Sequence, residues 1–288
     1  MKKPILKCNF CGNAQLSRFY ERNDHLVVCN HCGLVSNKSQ MSLEAMKNFY
    51  NEDYFVCKKE LEKGYRNYFE DRVNITRTSC KRMDIILKCS SFNKGKLLDV
   101  GCASGFFLEV ARQRGWEVYG VDVSHFCKEY AKNNLAIHIE SDLFLNVPYE
   151  DDFFEVVTMW DYLEHSMTPR QDLLKAKKIL KKKGLLIIAT PDISSIPSRI
   201  SKENWIGIKL EEHFYYFSKM ILTNFLREQG FSILKTGYIG KYVSSSMVAE
   251  RLKYYNKFIA RLFKSFLTRI NFSFYCNPFD IFFIICKK

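Results

Sequence analysis

Four cysteines stand in two pairs near the start of the chain: Cys8-Asn9-Phe10-Cys11 and, after 17 further residues, Cys29-Asn30-His31-Cys32. Two residues between thiolates let both sulfurs of a pair reach one ion from a tight turn, and two such turns complete a tetrahedral shell. Gly12 and Gly33 each follow the second cysteine of a pair, where a turn of this kind calls for positive φ. The spacing predicts one structural Zn²⁺ on Cys8, Cys11, Cys29 and Cys32, with His31 a bystander because four thiolates close the shell. So short a segment buries little core, so the metal would supply its folding energy, and Cys8→Ser is expected to unfold it while sparing the rest. The cysteines at 57, 80, 89, 102, 127, 276 and 286 show no ligand spacing and read as free thiols.

A second constellation lies farther on. Lys96-Leu97-Leu98-Asp99-Val100 reads as a buried strand running into Gly101-Cys102-Ala103-Ser104-Gly105, with an apolar helix opening at Phe106. Glycines at such a turn let a ligand approach the backbone with no Cβ in the way. Asp99 sits two residues before the first glycine, where its charge would repel a pyrophosphate and would suit a cationic amino group. The next strand, Trp116 to Val121, ends on Asp122, about 20 residues after the loop and placed to accept both hydroxyls of a ribose. A third acid, Asp142, follows a short strand at Ala136–Ile139 and can reach an adenine amino group.

Together these residues resemble the pattern of class I S-adenosylmethionine-dependent methyltransferases, with Leu97 to Gly105 as the hallmark run and Ala103 where the family often has glycine. The resemblance implies an α/β fold: a Rossmann-like seven-stranded methyltransferase sheet with helices on both faces, preceded by a small zinc ribbon. It also implies S-adenosyl-L-methionine as cofactor, met by Asp99, Gly101, Cys102, Ala103, Ser104, Gly105, Asp122, Val123, Asp142, Leu143 and Trp160. The Cys32-Gly33-Leu34 run and the aromatic helix beyond it resemble a subgroup whose zinc ribbon precedes this core, often encoded among sugar-modifying enzymes.

The order of elements agrees. Phe153–Met159, Gly184–Pro191, Phe231–Tyr238 and Ile281–Cys286 read as the fourth to seventh strands, with helices at Leu173–Lys182 and Lys219–Gln229. A Ser42-capped helix to Tyr54 and more helix from about Tyr65 to Lys88 precede the core. The expected organisation is a ribbon over 1–41, a helical linker over 42–95, and a methyltransferase domain over 96–288 with a helical insertion at 241–275.

Methyl transfer from a sulfonium is an in-line displacement in which the protein aligns the acceptor and can take a proton from it. After the fourth strand there is no Asn-Pro-Pro-Tyr loop of the kind that holds a base amine; Asp161, Glu164 and His165 occupy its place. Asp161 and His165 are four apart, on one face if the segment is helical, and His213 follows the fifth strand. A histidine base suits hydroxyl deprotonation near neutral pH, so Asp161, His165 and His213 are the catalytic candidates. The leading expectation is a small-molecule or glycan acceptor, a hydroxyl on a sugar or lipid-linked saccharide. The alternatives are ribosomal or transfer RNA, and a catalytically inactive binding module, which the intact acids disfavour.

The net charge of +13, from 44 Lys+Arg against 31 Asp+Glu, favours polyanionic partners without choosing among them. Against nucleic acid, only Arg18 and Arg22 stand between the cysteine pairs, where a basic stripe would be expected. No apolar stretch of signal-peptide length precedes Cys8, and no run suits a spanning helix, which predicts a cytoplasmic protein. Tyr254 to Ile270 carries an apolar stripe at helical spacing, with Lys253, Lys257, Arg261, Lys264 and Arg269 largely off it. Such a helix packs on a core or a second subunit, lids the acceptor pocket, or lies peripherally on an anionic membrane face.

Overall fold

The computed structural model describes residues 3–56, 68–248 and 272–288. After a two-residue strand at Lys3–Pro4 that pairs with Ser39–Gln40, three antiparallel strands follow: β1 (Leu16–Tyr20), β2 (Asn23–Cys29) and β3 (Val35–Asn37). The helical segment predicted over 42–54 is two pieces, α1 (Leu43–Phe49) and α2 (Glu52–Phe55). Ser42 and Asn51 each accept an amide from the first turn that follows, so the break falls where a second capping residue competes with the helix. Helix α3 (Arg72–Cys89) then leads into the core.

The core follows in order: β4 (Lys96–Val100), α4 (Phe106–Gln113), β5 (Glu117–Asp122), α5 (His125–Tyr130), β6 (Ile139–Ser141), β7 (Phe154–Trp160), α6 (Pro169–Ile179), β8 (Leu180–Pro191) and α7 (Ile196–Ser201). Then come β9 (Tyr215–Tyr216), α8 (Lys219–Glu228), β10 (Ser232–Tyr238), β11 (Lys241–Ser244), β12 (Ser273–Cys276) and β13 (Ile281–Lys287). Seven strands form one mixed sheet in the order β10-β13-β8-β7-β4-β5-β6, in which only β13 runs antiparallel to its neighbours. This is the Rossmann-like methyltransferase sheet. The short strand expected at Ala136–Ile139 is β6 and starts only at Ile139, because Ala136 takes a left-handed φ of 50° that no strand admits.

Alternate residues of the central strands enter opposite layers. Leu97, Val156, Ile187 and Ile285 pack under α3 and α4 with Met83, Ile86 and Leu108. Leu98, Val157, Ile188 and Ile284 face α6 and α8 with Leu173, Leu222 and Leu226. That second layer continues without a break into Cys8, Phe10, Cys29 and Leu34 of the ribbon. Strand β9, which follows the fifth strand of the core, pairs antiparallel with β3, Tyr215 opposite Ser36 and Tyr216 opposite Val35, making it the fourth strand of the ribbon sheet. Among the described residues no helix is long and apolar enough to cross a membrane. The basic apolar stripe at 254–270 lies outside the described residues.

Candidate active site

A cavity of about 1280 Å³ opens at the carboxyl ends of β4, β5 and β7, where the parallel sheet hands its loops to the surface. Asp99, Gly101, Cys102, Ala103, Asp122, Val123, Asp142, Leu143 and Trp160 line it. Ser104 and Gly105 do not: Ser104 is fully buried with its hydroxyl on the Cys127 sulfur at 3.4 Å, and Gly105 caps α4 at φ 81°. These two shape the turn from behind the wall.

The loop turns tightly because Gly101 and Gly105 hold positive φ, and Ala103 joins them at 45°. At Gly101 a Cβ would stand 2.7 Å from the Tyr162 ring, so glycine is needed for space as well as for conformation. Ala103 fits the same loop at some conformational strain, and its N–H donates to Asp122 Oδ2 at 2.8 Å. Ser124 N–H donates to Asp122 Oδ1 at 2.9 Å. Each Asp122 oxygen thus keeps a second lone pair, aimed as a pair suited to a vicinal diol. Asp99 is 3% exposed and accepts from Thr158 Oγ1 at 2.6 Å through Oδ1, while no described residue donates to its Oδ2. Burial pushes its carboxyl up to about 7. Asp142 is held below the ordinary carboxylate range: its partial burial is outweighed by the Leu143 amide, Asn146 and Lys47.

Two cations stand beside this wall. The Arg82 guanidinium lies 4.6 Å from the Trp160 ring centroid and donates to Asp161 Oδ2 at 2.8 Å; Lys241 Nζ reaches the same oxygen at 3.0 Å. Arg82 Nε and Trp160 Nε1 are both buried with no partner. Reading the sequence missed Arg82, since nothing separates it from the other basic residues of α3 (Arg72, Arg77, Lys81 and Lys88). Its free Nε beside Asp99 makes it a fit for a ligand carboxylate next to an amino group.

The segment after β7 is not a helix that would put Asp161 and His165 on one face. Asp161 takes φ 53°, and Leu163–His165 is a single tight turn, so 3.6-residue spacing does not apply. Against the pull of its partial burial, Lys241 and Arg82 hold the Asp161 carboxyl well below the ordinary range, so it stands as the charged partner of both cations. The structure instead brings His165 and His213 together, ring centroids 4.7 Å apart and edge to face.

Both rings are oriented by backbone. His213 Nδ1 lies 3.0 Å from Gly207 O, and His165 Nδ1 lies 3.1 Å from Glu212 O and 2.8 Å from the Tyr50 hydroxyl. A carbonyl can only accept, so these contacts assign the protons to Nδ1 and leave each Nε2 an acceptor. Neither Nε2 has a partner among the described residues. Burial pushes His165 down to about 4 and His213 well below the ordinary value, so both are neutral at physiological pH. Glu164, also on the cavity wall, accepts from Thr190 Oγ1 at 2.7 Å, and burial with the Asp161 charge raises it to about 8. The segment after α1 spans the cavity: Tyr50 O accepts from Ser124 Oγ at 2.7 Å, and Tyr54 donates to Glu212 Oε2 at 2.8 Å. Tyr50, Tyr54, Phe55, Tyr68, Trp205 and Tyr242 give much of the remaining wall an aromatic character.

At the N-terminus, Cys8, Cys11, Cys29 and Cys32 place their sulfurs within 4.8 Å of one another. Cys8 and Cys32 are 3.6 Å apart and Cys11 and Cys29 3.5 Å. A tetrahedron with Zn–S bonds near 2.3 Å has edges of about 3.8 Å, so the set fits such an ion. The other described cysteines are free thiols.

Residues 75–236 match the family described as "Methyltransferase domain". Among curated proteins the chain is 36% identical over 105 residues to a ubiquinone biosynthesis O-methyltransferase of Haemophilus ducreyi, covering 33% of this chain and 44% of that enzyme. It is 30% identical over 173 residues to the mitochondrial ubiquinone biosynthesis O-methyltransferase of Schizosaccharomyces pombe, covering 52% and 60%. The chain thus spans about half the length of the curated relatives it matches. Among solved structures, a SAM-dependent methyltransferase from Archaeoglobus fulgidus superposes with a TM-score of 0.52 at 18% identity, over 76% of this chain and 98% of that one. A Pyrococcus horikoshii protein gives 0.51 at 15% identity, over 82% and 94%. These likenesses are of fold.

Proposed function

The chain belongs to the methyltransferase-domain family, and on that footing we propose that it moves a methyl group from S-adenosylmethionine to a hydroxyl of a small aromatic acceptor of the quinone-precursor type. The expected sugar or lipid-linked saccharide acceptor is corrected by the relatives, which are O-methyltransferases of ubiquinone biosynthesis.

The observation that carries the reading is the pairing, in one cavity, of two unspent carboxylate functions at Asp99 and Asp122 with two neutral histidines whose Nε2 atoms are acceptors. When bound, S-adenosylmethionine supplies an electrophilic methyl on a sulfonium. Asp99 and Arg82 suit its amino and carboxylate ends, Asp122 its ribose diol, and Asp142 with the Leu143 backbone its adenine edge. His213 or His165 takes the acceptor's hydroxyl proton at Nε2 as the oxygen is alkylated, and the carbonyl on Nδ1 steadies the imidazolium that results. The aromatic wall holds a planar ring, and the segment carrying Tyr50 and Tyr54 keeps water from it. The same proposal gives Cys8, Cys11, Cys29 and Cys32 a structural Zn²⁺, a reading supported by four sulfurs spaced for one tetrahedral ion and one that suits the subgroup with an N-terminal ribbon.

The test is to incubate the protein with S-adenosylmethionine and a panel of dihydroxybenzenes, sugars and RNA, and to follow each by mass spectrometry. The reading expects a methyl gained by a dihydroxybenzene; methylation of only sugars or RNA would overturn it.

A further inference from the structure

The ribbon reaches past its own sheet to the loop that carries His213. Asn37, the last residue of β3, is 3% exposed and every polar group of it but its carbonyl is committed. Its backbone N–H donates to Phe214 O at 2.8 Å. Its side-chain Nδ2 donates to Leu210 O at 2.7 Å and lies 3.4 Å from His213 O, while Oδ1 accepts from Ser39 N–H at 3.2 Å. On the opposite side Phe214 N–H donates to Glu164 O at 2.7 Å, and the His213 ring is turned by Gly207 O within the same loop. The loop 207–214 therefore hangs between two anchors, one in the core and one in the ribbon.

We propose that Asn37 is a positioning residue for methyl transfer: through Leu210 and His213 carbonyls it sets where the His213 Nε2 lone pair points. This rests on reading His213 as the proton acceptor. An alanine at 37 would take the donor from the buried His213 carbonyl and the half-buried Leu210 carbonyl, so the loop would relax toward water and the ring would leave its orientation. Placement matters steeply here, because a proton acceptor works only within hydrogen-bond reach of the hydroxyl.

The experiment measures turnover of Asn37→Ala, His213→Ala and the double variant on catechol, neutral at assay pH, and on 4-nitrocatechol, whose hydroxyl is largely ionised there and needs no base. Asn37→Ala is expected to lose roughly tenfold to a hundredfold of kcat on catechol and little on 4-nitrocatechol, with KM for S-adenosylmethionine unchanged. The double variant should be no slower than His213→Ala alone, as for two residues acting through one group. Equal losses on both acceptors, multiplying losses in the double variant, or full catechol turnover in Asn37→Ala would each overturn the proposal. Full catechol turnover in His213→Ala would overturn the base assignment and this inference with it. Should the alanine variant fail to fold, Asn37→Ser, which keeps a donor on a shorter arm, is put through the same comparison.

Discussion

Asp99 and Asp122 illustrate how two carboxylates in one cavity take different work from their surroundings. Asp122 is stabilised by two backbone amides against the upward pull of burial, whereas Asp99 has one hydroxyl and is pushed up to about 7. A carboxyl raised in the folded state binds more protons folded than unfolded between its ordinary value and about 7, so it weakens the fold as pH rises through that window. A cationic amino group needs the carboxylate form. Calorimetric affinity for S-adenosylmethionine should therefore fall as pH drops below about 7, by up to tenfold per pH unit, with proton release on binding. Asp99→Asn should bind weakly with no such slope; an unchanged slope would remove Asp99 from the site. Asp122→Ala deletes the acceptor of two hydroxyls and should cost about 2–4 kcal/mol of cofactor affinity, read by the same titration.

At the scale of elements, what was legible in the sequence is what local pattern controls. The strand at Lys96–Val100, the glycine turn and the acid ending the next strand all appear where spacing puts them, because strand-turn-helix chemistry is contiguous. Gly101→Ala tests that turn. Positive φ with a Cβ costs about 1–2 kcal/mol, and the Tyr162 ring, tied to Asp172 at 2.8 Å, has little room to give. The variant should melt several degrees lower and bind S-adenosylmethionine poorly; wild-type melting would contradict the geometry. Less legible were features set by distant partners. The Trp160–His165 stretch has helical spacing but turns at Asp161 to meet Arg82 and Lys241, whose place is fixed by α3 and β11. Strand β9, two residues long, has no periodicity of its own and exists because β3 is there to pair with it. The proximity of His165 and His213 follows from the same long-range pairing, which no local spacing reports.

Across the whole molecule, the ribbon and the catalytic core share a strand and a hydrophobic layer, so they should not behave as beads on a string. The expectation that Cys8→Ser would unfold only the ribbon changes accordingly. Loss of the ligand should lower stability of the whole chain in one transition and weaken turnover, because Phe10 and Leu34 pack with Phe217 and Phe225. Two separate calorimetric transitions would show instead that the ribbon folds alone. The central claim, that this cavity transfers a methyl from sulfonium to a phenolic oxygen with a histidine taking the proton, is met most directly by isotope transfer. S-adenosylmethionine carrying a CD₃ group is supplied with catechol, and the label is located by mass spectrometry in the wild type and in a His165→Ala, His213→Ala variant. The account predicts CD₃ on the catechol oxygen, formed ~10²–10⁴ times more slowly in the variant at unchanged cofactor affinity. Cofactor binding without any labelled catechol, or equal rates in both proteins, would contradict it.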